Sequence, residues 1–237
     1  MTAAGRGKGH RGSRSAARAP GAAGREAVAE AIAHCCRRLW EAGLVAGRDG
    51  NVSVRLAADR LLVTPSGVLK SELTAADMVE VDLTGRVRAG FRHPTSELDL
   101  HLRVHRRRPD CRAVVHAHPP VATGFALAGM SLGEDLLPEV TVLIGPVPLV
   151  PYATPGTPAL GDRAEPFLDR HDALLLANHG AVAWGPDLDT ARVRMESLEQ
   201  AARIVLAARV LGRVTTLRPE EVEALRHCRG RSGHVES

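Results

Sequence analysis

Three histidines and one glutamate carry the densest chemical meaning in this chain. His116 and His118 stand in Val114-Val115-His116-Ala117-His118-Pro119. On a strand, residues i and i+2 point to one face, so both imidazoles would emerge together just before a proline-opened turn. Two imidazoles so placed suit a transition metal. His179 follows the apolar run Leu174-Leu175-Leu176-Ala177, which reads as a buried strand. A histidine at that strand end, with Gly180 permitting a sharp turn, could simply satisfy a backbone carbonyl. Joined to the His-x-His pair, it completes a three-histidine set with one position open, the catalytic arrangement for zinc. Each motif alone is weak, because the chain contains 11 histidines.

Glu97 closes Pro94-Thr95-Ser96-Glu97, which opens a helix. The helix dipole favours a carboxylate there for structural reasons alone. Its sharper reading is a general acid/base beside the metal. His101 and His105 share its face at i+4 and i+8. They read as structural, since a helix carrying three ligands would make the His-x-His pair redundant. A further group of small polar turns comprises Gly50-Asn51-Val52-Ser53, Thr64-Pro65-Ser66-Gly67 and Thr95-Ser96. Each offers backbone N–H groups and hydroxyl or amide donors, the equipment for an anion such as phosphate. No glycine-rich nucleotide motif is present.

The elements that must position these groups follow from periodicity. Residues 26–44 read as an amphipathic helix ending at Gly43, and 51–56 with 60–64 as a hairpin. A short helical start at 74–77 precedes a strand at 78–81, and Gly85 and Gly90 bracket another β-element. A helix opens at 94–97 and ends at Pro109. Then come a strand at 113–116, a helix at 119–127, strands at 140–144 and 147–150, and a helix at 159–170. A strand at 173–177, a long helix at 187–211 and a short one at 219–226 complete the pass. Hairpins mixed with crossovers predict an α/β domain with a mixed or antiparallel sheet between helical layers, not a doubly wound parallel sheet.

A chain of 237 residues with 44% hydrophobic and 24% charged residues suits one soluble globular domain. Aromatics make up only 3%, with a single tyrosine, so any mechanism needing tyrosines has little to draw on. Residues 1–25 hold Arg6, Lys8, Arg11, Arg14, Arg18 and Arg25 and no acid. Subtracting those six charges from the net +4 leaves −2, so the high pI says little about the folded part. We expect a disordered basic tail at 1–25, a domain at 26–226 and a flexible C-terminus at 227–237. Nucleic-acid binding by the tail, or a transit-peptide role, is the lesser reading. Cys35, Cys36, Cys111 and Cys228 lack zinc-finger spacing, and an adjacent pair is ill suited to a structural disulfide, so reduced thiols in a cytoplasmic protein are expected. No apolar run reaches the length of a membrane helix.

In this order, GNVSV at 50–54, TPSG at 64–67, PTSE at 94–97, RPDCRAVVHAHP at 108–119, PYATPGT at 151–157 and NHG at 178–180 resemble the class II aldolase/adducin family, within it the fuculose-phosphate aldolase type. The resemblance runs from about residue 26 to 211. It implies a single three-layer α/β domain with a central, largely antiparallel sheet flanked by helices. It implies Zn2+, or another divalent metal, on His116, His118 and His179, with Glu97 as acid/base. Asn51, Ser66, Gly67, Thr95 and Ser96 would hold the substrate phosphate. The implied assembly is a homotetramer with active sites at subunit interfaces. The implied reaction is retro-aldol cleavage of a ketose 1-phosphate to dihydroxyacetone phosphate and an aldehyde through enediolate chemistry. No amine nucleophile is required, and no lysine stands in a setting that suggests one.

The chain departs from the fuculose-phosphate aldolase pattern at the aldehyde end. That type uses tyrosines there, whereas this chain has only Tyr152, inside PYAT, where a structural role is implied. The interface tyrosine position falls near Val142, in a segment carrying Glu139. Arg48 stands where a small hydroxyl residue is expected. Another metal-dependent lyase or isomerase on the same scaffold, such as a dehydratase, 4-epimerase or decarboxylase, is therefore the alternative. An adducin-like binding module is a more distant one.

Overall fold

The structure, a computed structural model, describes residues 21–231. Among them the chain builds an eight-stranded sheet. The strands are β1 (Asn51–Ala57), β2 (Arg60–Val63), β3 (Val79–Asp82), β4 (Val87–Ala89), β5 (Ala113–Ala117), β6 (Leu149–Val150), β7 (Ala173–Leu176) and β8 (Gly180–Gly185). Their spatial order is β4-β3-β2-β1-β5-β8-β7-β6. Every pairing is antiparallel except β6 with β7, so the expected single α/β domain with a largely antiparallel sheet is observed.

Helices cover both faces. On one side α1 (Ala22–Glu41), α3 (Pro120–Leu127) and α6 (Leu188–Val210) pack on the sheet. Ile32, Leu39, Phe125, Met195 and Leu198 meet Val52, Val115, Leu175 and Ala183 there. On the other side α2 (Leu98–Arg107) and α5 (Pro158–Ala164) bury Leu100, Val104 and Leu160 against Val114, Leu174, Val182 and Trp184. The two sets of sheet residues alternate along each strand, as a two-sided sheet requires. Two further helices, α4 (Pro138–Leu143) and α7 (Pro219–Arg231), pack against each other outside these layers.

Two elements differ from the sequence reading. Residues 140–144 read as a strand because Val140, Thr141, Val142 and Ile144 are β-branched. They lie instead in or just after α4, with Pro138 in its first turn. Proline fixes a helical φ and lacks the N–H that a ladder would need, and its position outweighs a weak propensity. β8 was not anticipated, because Gly180 read as a turn. α1 begins at Ala22 and α7 ends at Arg231. Most of the expected basic tail at 1–25 and of the expected flexible C-terminus at 227–237 lies outside the described residues. Cys35, Cys36 and Cys111 are buried free thiols. No helix among the described residues is long and apolar enough to cross a membrane.

One buried carboxylate fixes the start of α3, the helix that follows His118. Glu199 of α6 is 2% exposed. It accepts N–H bonds from Val121 at 3.0 Å and Ala122 at 2.9 Å, and from Arg203 Nε at 2.8 Å. It thereby satisfies two of the donors that a helix start leaves open. Glu199→Ala should destabilise the fold by roughly 2–4 kcal/mol, because both amides stay buried without a partner. Urea unfolding measures this; a change below about 0.5 kcal/mol would mean that the contact contributes no more than a surface residue.

Candidate metal centre and anion pocket

Register brings the sequence motifs together. Across β1, β5 and β8, Asn51 sits opposite His116, and His116 opposite Val182. Asn51, Ser53 and His116 share the α2 face, where Val114 also points. His118 lies just past the end of β5, and His179 in the tight connection between β7 and β8. Glu97 is the residue preceding α2. Its side chain makes no capping bond and turns instead toward the histidines.

The three imidazoles converge, with one ring nitrogen from each within 4.8 Å of the others. The Nε2 atoms of His116 and His118 are 3.2 Å apart. Tetrahedral zinc with bonds near 2.0–2.1 Å requires nitrogens roughly 3.3 Å apart, so the spacing fits a small divalent ion. His116 Nδ1 donates to the Ala181 carbonyl at 2.8 Å, which leaves the Nε2 lone pair facing the cluster. Glu97 approaches with Oε2 3.3 Å from His116 Nε2 and Oε1 3.6 Å from His179 Nε2. Glu97 Oε2 is buried without a hydrogen-bond partner among the described residues, as is His179 Nδ1. An orphaned carboxylate oxygen beside converging nitrogens suits a place in a cation's coordination sphere.

The four groups are electrostatically coupled: burial lowers the His116 pKa, but Glu97 outweighs burial and the net shift is upward. Burial would raise the Glu97 pKa, but positive charge on His116 and His179 outweighs it and holds the carboxyl well below its ordinary range. Burial, then the charges of His116 and His179, push His118 down to about 4. A neutral imidazole is the form that binds metal.

Glycine enters the site for a reason different from the one its sequence suggested. The left-handed residue of the β7–β8 connection is Asn178, at φ 56°. Gly180 starts β8, and a Cβ there would lie 2.6 Å from the Ala117 oxygen and 2.6 Å from His118 Cδ2. Its role is close approach: without it the imidazoles could not pack over the strand start.

His101 and His105 are structural, as expected, and they act on the neighbouring pocket. Both are buried. His101 Nε2 lies 2.5 Å from Asn51 Oδ1, His101 Nδ1 2.7 Å from Ser53 Oγ, and Ser53 Oγ 2.9 Å from His105 Nε2. With the Asn51 oxygen accepting, His101 donates from Nε2 and accepts the Ser53 hydroxyl at Nδ1, while His105 donates to Ser53. The chain holds Asn51 so that its NH2 group is the free donor.

That donor faces a pocket of about 140 Å³ lined by Asn51, Ser66, Gly67, Thr95, Ser96, Glu97 and His118, with Arg48, Asp49 and Lys70. The two turns of this wall are tied by Ser66 N–H to the His93 carbonyl at 3.0 Å and Thr95 N–H to the Thr64 carbonyl at 3.0 Å. Thr95 Oγ accepts the Glu97 N–H at 3.3 Å, so Thr95 also fixes the acid/base candidate. All nine residues singled out from sequence thus border one cleft or its adjoining histidine cluster. Sequence reasoning missed Lys70 and Asp49; Asp49 Oδ2 lies 3.6 Å from His118 Nδ1. Tyr152 is 56% exposed in the loop after β6, and Glu139 is exposed on α4.

A three-histidine centre with a carboxylate beside it, opening on a pocket lined by small polar turns, suits the chemistry of a metal-dependent lyase. The chain is a member of the class II aldolase and adducin family: residues 30–206 match the model of the class II aldolase and adducin N-terminal domain. It is 38% identical over 195 residues to a 5-deoxy-D-ribulose 1-phosphate aldolase of Bacillus thuringiensis, covering 80% of this chain and 89% of that one. It is 36% identical over 171 residues to a 3-oxo-tetronate 4-phosphate decarboxylase of Pectobacterium atrosepticum, covering 70% and 78%. Among solved structures, an L-fuculose 1-phosphate aldolase superposes with a TM-score of 0.80 at 32% identity, covering 85% of this chain and 95% of that one. The protein is therefore a divalent-metal-dependent carbon–carbon lyase of the class II aldolase type.

Two outcomes test this geometry. In protein that circular dichroism shows to be folded, Gly180→Ala should weaken divalent-metal binding by at least about tenfold, because the new methyl meets both the His118 ring and the Ala117 backbone oxygen. Metal titration with a competing chelator reads the change; unaltered affinity would show that the imidazole packing tolerates a methyl. The second concerns pH. Burial, reinforced by His116, pushes His101 down to about 3 from an ordinary 6.5. Between those values an unfolded chain takes a proton that the folded site refuses, so stability is full above pH 6.5 and falls as pH drops through the window. The slope from this residue approaches about 1.4 kcal/mol per pH unit. Denaturation of His101→Gln, itself less stable at neutral pH, should show a shallower acid slope than the parent. Equal slopes would mean that His101 titrates normally.

Proposed function

We propose that the protein catalyses zinc-dependent retro-aldol cleavage of a small ketose 1-phosphate, of the fuculose-phosphate kind, to dihydroxyacetone phosphate and an aldehyde. The observation that carries this is the shared cleft, in which Glu97 and His118 line the same pocket as Asn51, Ser66, Gly67, Thr95 and Ser96. A substrate anchored by its phosphate in those turns has its carbonyl end delivered to the three histidines.

His116, His118 and His179 hold the ion. When bound, it supplies Lewis acidity that draws electron density from the substrate's carbonyl carbon. The Asn51 NH2, the Ser66 and Ser96 hydroxyls and the backbone around Gly67 receive the phosphate, and Thr95 adds its own hydroxyl proton. Glu97, held ionised beside the imidazoles, takes the proton from the carbon next to the carbonyl in the condensation direction. In the cleavage direction it returns that proton to the carbon left electron-rich when the bond breaks. The aldehyde departs from the far end of the pocket. Cleavage also needs a base there for the proton of the alcohol that becomes the aldehyde; the single tyrosine, Tyr152, does not line this pocket, which leaves that role to another group.

A specific observation favours one second reading. The 36% identical relative is named a decarboxylase acting on a 3-oxo acid phosphate. Loss of carbon dioxide leaves the same electron-rich carbon beside a carbonyl, so these residues would serve it unchanged. The complete histidine set speaks against a non-catalytic binding module. We include in the proposal a homotetramer with sites at its interfaces. Ile204, Leu206, Val210 and Leu211, exposed at the end of α6, supply apolar surface for such contacts. Buried free thiols fit a cytoplasmic setting.

The test is an assay of zinc-loaded protein over a panel of ketose 1-phosphates and 3-oxo acid phosphates, with products read by NMR. Dihydroxyacetone phosphate from at least one ketose is expected. Carbon dioxide release with no aldol cleavage would move the assignment to the second reading, and turnover of neither class would sink both. Glu97→Gln should lower kcat by about 10²–10⁴-fold with zinc content preserved. A variant within about threefold of the parent would remove Glu97 from the chemistry.

A further inference from the structure

Lys70 is a buried cation that the proposed chemistry has not used. It is 3% exposed, in the segment after the Pro65-Ser66-Gly67 turn, and it borders the anion pocket. Its Nζ donates to the Arg48 carbonyl at 2.9 Å and the Val68 carbonyl at 3.2 Å. Those carbonyls belong to the two loops that flank Asn51 and Ser66. Two acceptors satisfy two of the three ammonium protons. No carboxylate of the described residues lies within 4.0 Å of Nζ; Asp49 attracts it from farther away and is turned toward His118. The neighbouring Cys36 thiol, pushed up to about 12 by burial, stays neutral and gives no countercharge.

A buried ammonium without an ion-pair partner is costly, and a chain keeps one where an anion completes it. Composition sharpens the point. Lys8 and Lys70 are the only lysines in a chain with 29 arginines, so the choice of a compact ammonium here departs from the chain's habit. An ammonium fits a floor position between two carbonyls, where a planar guanidinium fork would not. Exposed Arg48, at the same pocket, can add charge only from the solvent side.

We propose that Lys70 is a specificity-determining ligand of the substrate anion. Its buried positive charge and third N–H make the Asn51–Ser66–Gly67–Ser96 pocket select a phosphate dianion over a neutral or singly charged group. This rests on the reading that those turns receive the substrate phosphate. The competing role is a loop staple, in which Lys70 merely ties the two turns through their carbonyls.

The experiment titrates inorganic phosphate calorimetrically into full-length, zinc-loaded protein whose metal is already capped with acetohydroxamate. The parent is compared with Lys70→Gln and Lys70→Met across the pH range in which phosphate passes from monoanion to dianion. Zinc content and circular dichroism identify the folded variants, and Gln, which retains hydrogen-bond donors, guards against collapse of the Met variant. The parent's affinity should rise as the dianion forms. Both variants should bind phosphate at least roughly tenfold more weakly and lose that rise. Acetohydroxamate should bind all three proteins equally. Variants that keep the parent's phosphate affinity and pH profile would overturn the assignment. So would variants that lose phosphate and acetohydroxamate together, since that is the signature of a staple. A parent that binds no phosphate would sink the phosphate pocket itself, and Lys70's role with it.

Discussion

Three imidazole nitrogens aimed at one point are unfavourable company unless a cation stands among them, and this constraint organises the rest of the molecule. His116 is held by the antiparallel register of β5 between β1 and β8, and its tautomer by the Ala181 carbonyl. His118 is held by the start of α3, which Glu199 caps from α6. His179 is placed by a connection that needs Asn178 in a left-handed conformation and Gly180 without a side chain. Each device comes from a different part of the chain. The centre therefore exists only once the whole sheet and both helical layers have formed, and it inherits their rigidity.

The same register couples the metal centre to the anion pocket. Because Asn51 is the cross-strand neighbour of His116, a one-residue slip of β1 on β5 would move Asn51 and Ser53 from the α2 face to the opposite one. The buried chain through His101, Ser53 and His105 reinforces that pairing from α2, the helix that also begins at Glu97. Polar networks of this kind specify one arrangement more than they stabilise it. Here the arrangement specified is the placement of Asn51 relative to the three histidines.

Much of this was legible in the sequence. His116 and His118 could be paired because strand periodicity is two, and Glu97 stood out because a helix start is a marked place. The largely antiparallel sheet followed from hairpins interleaved with helices. The unread parts share a physical cause: their meaning depends on contacts distant in the chain. Gly180 looked like a turn because its neighbours His118 and Ala117 are sixty residues away in sequence. Residues 140–144 looked like a strand because their β-branched side chains are local information, whereas the packing of α4 on α6 and α7 is not. Lys70 was passed over because its setting is made by two carbonyls, and carbonyls have no signature in a residue alphabet. His101 and His105 were read as structural, but their link to Asn51 appears only when α2 is laid over β1.

The division between what is fixed and what is open in this fold is itself an argument about its chemistry. Around the cleft, His116 is fully buried and Asn51 and Thr95 nearly so, whereas Ser66, Gly67 and Ser96 are exposed at their turns. Tyr152 and Glu139 are exposed on a loop and on a short helix outside the two layers, and neither lines this cleft. On the proposed reading, such a cleft activates the carbon beside the carbonyl of a phosphorylated ligand. Which bond then breaks depends on what the far end presents, an alcohol proton to be taken or a carboxylate to be expelled. Relatives of similar identity that bear aldolase and decarboxylase names follow from that partition. The rigid half determines the electron-rich carbon, and the exposed half determines how it arises.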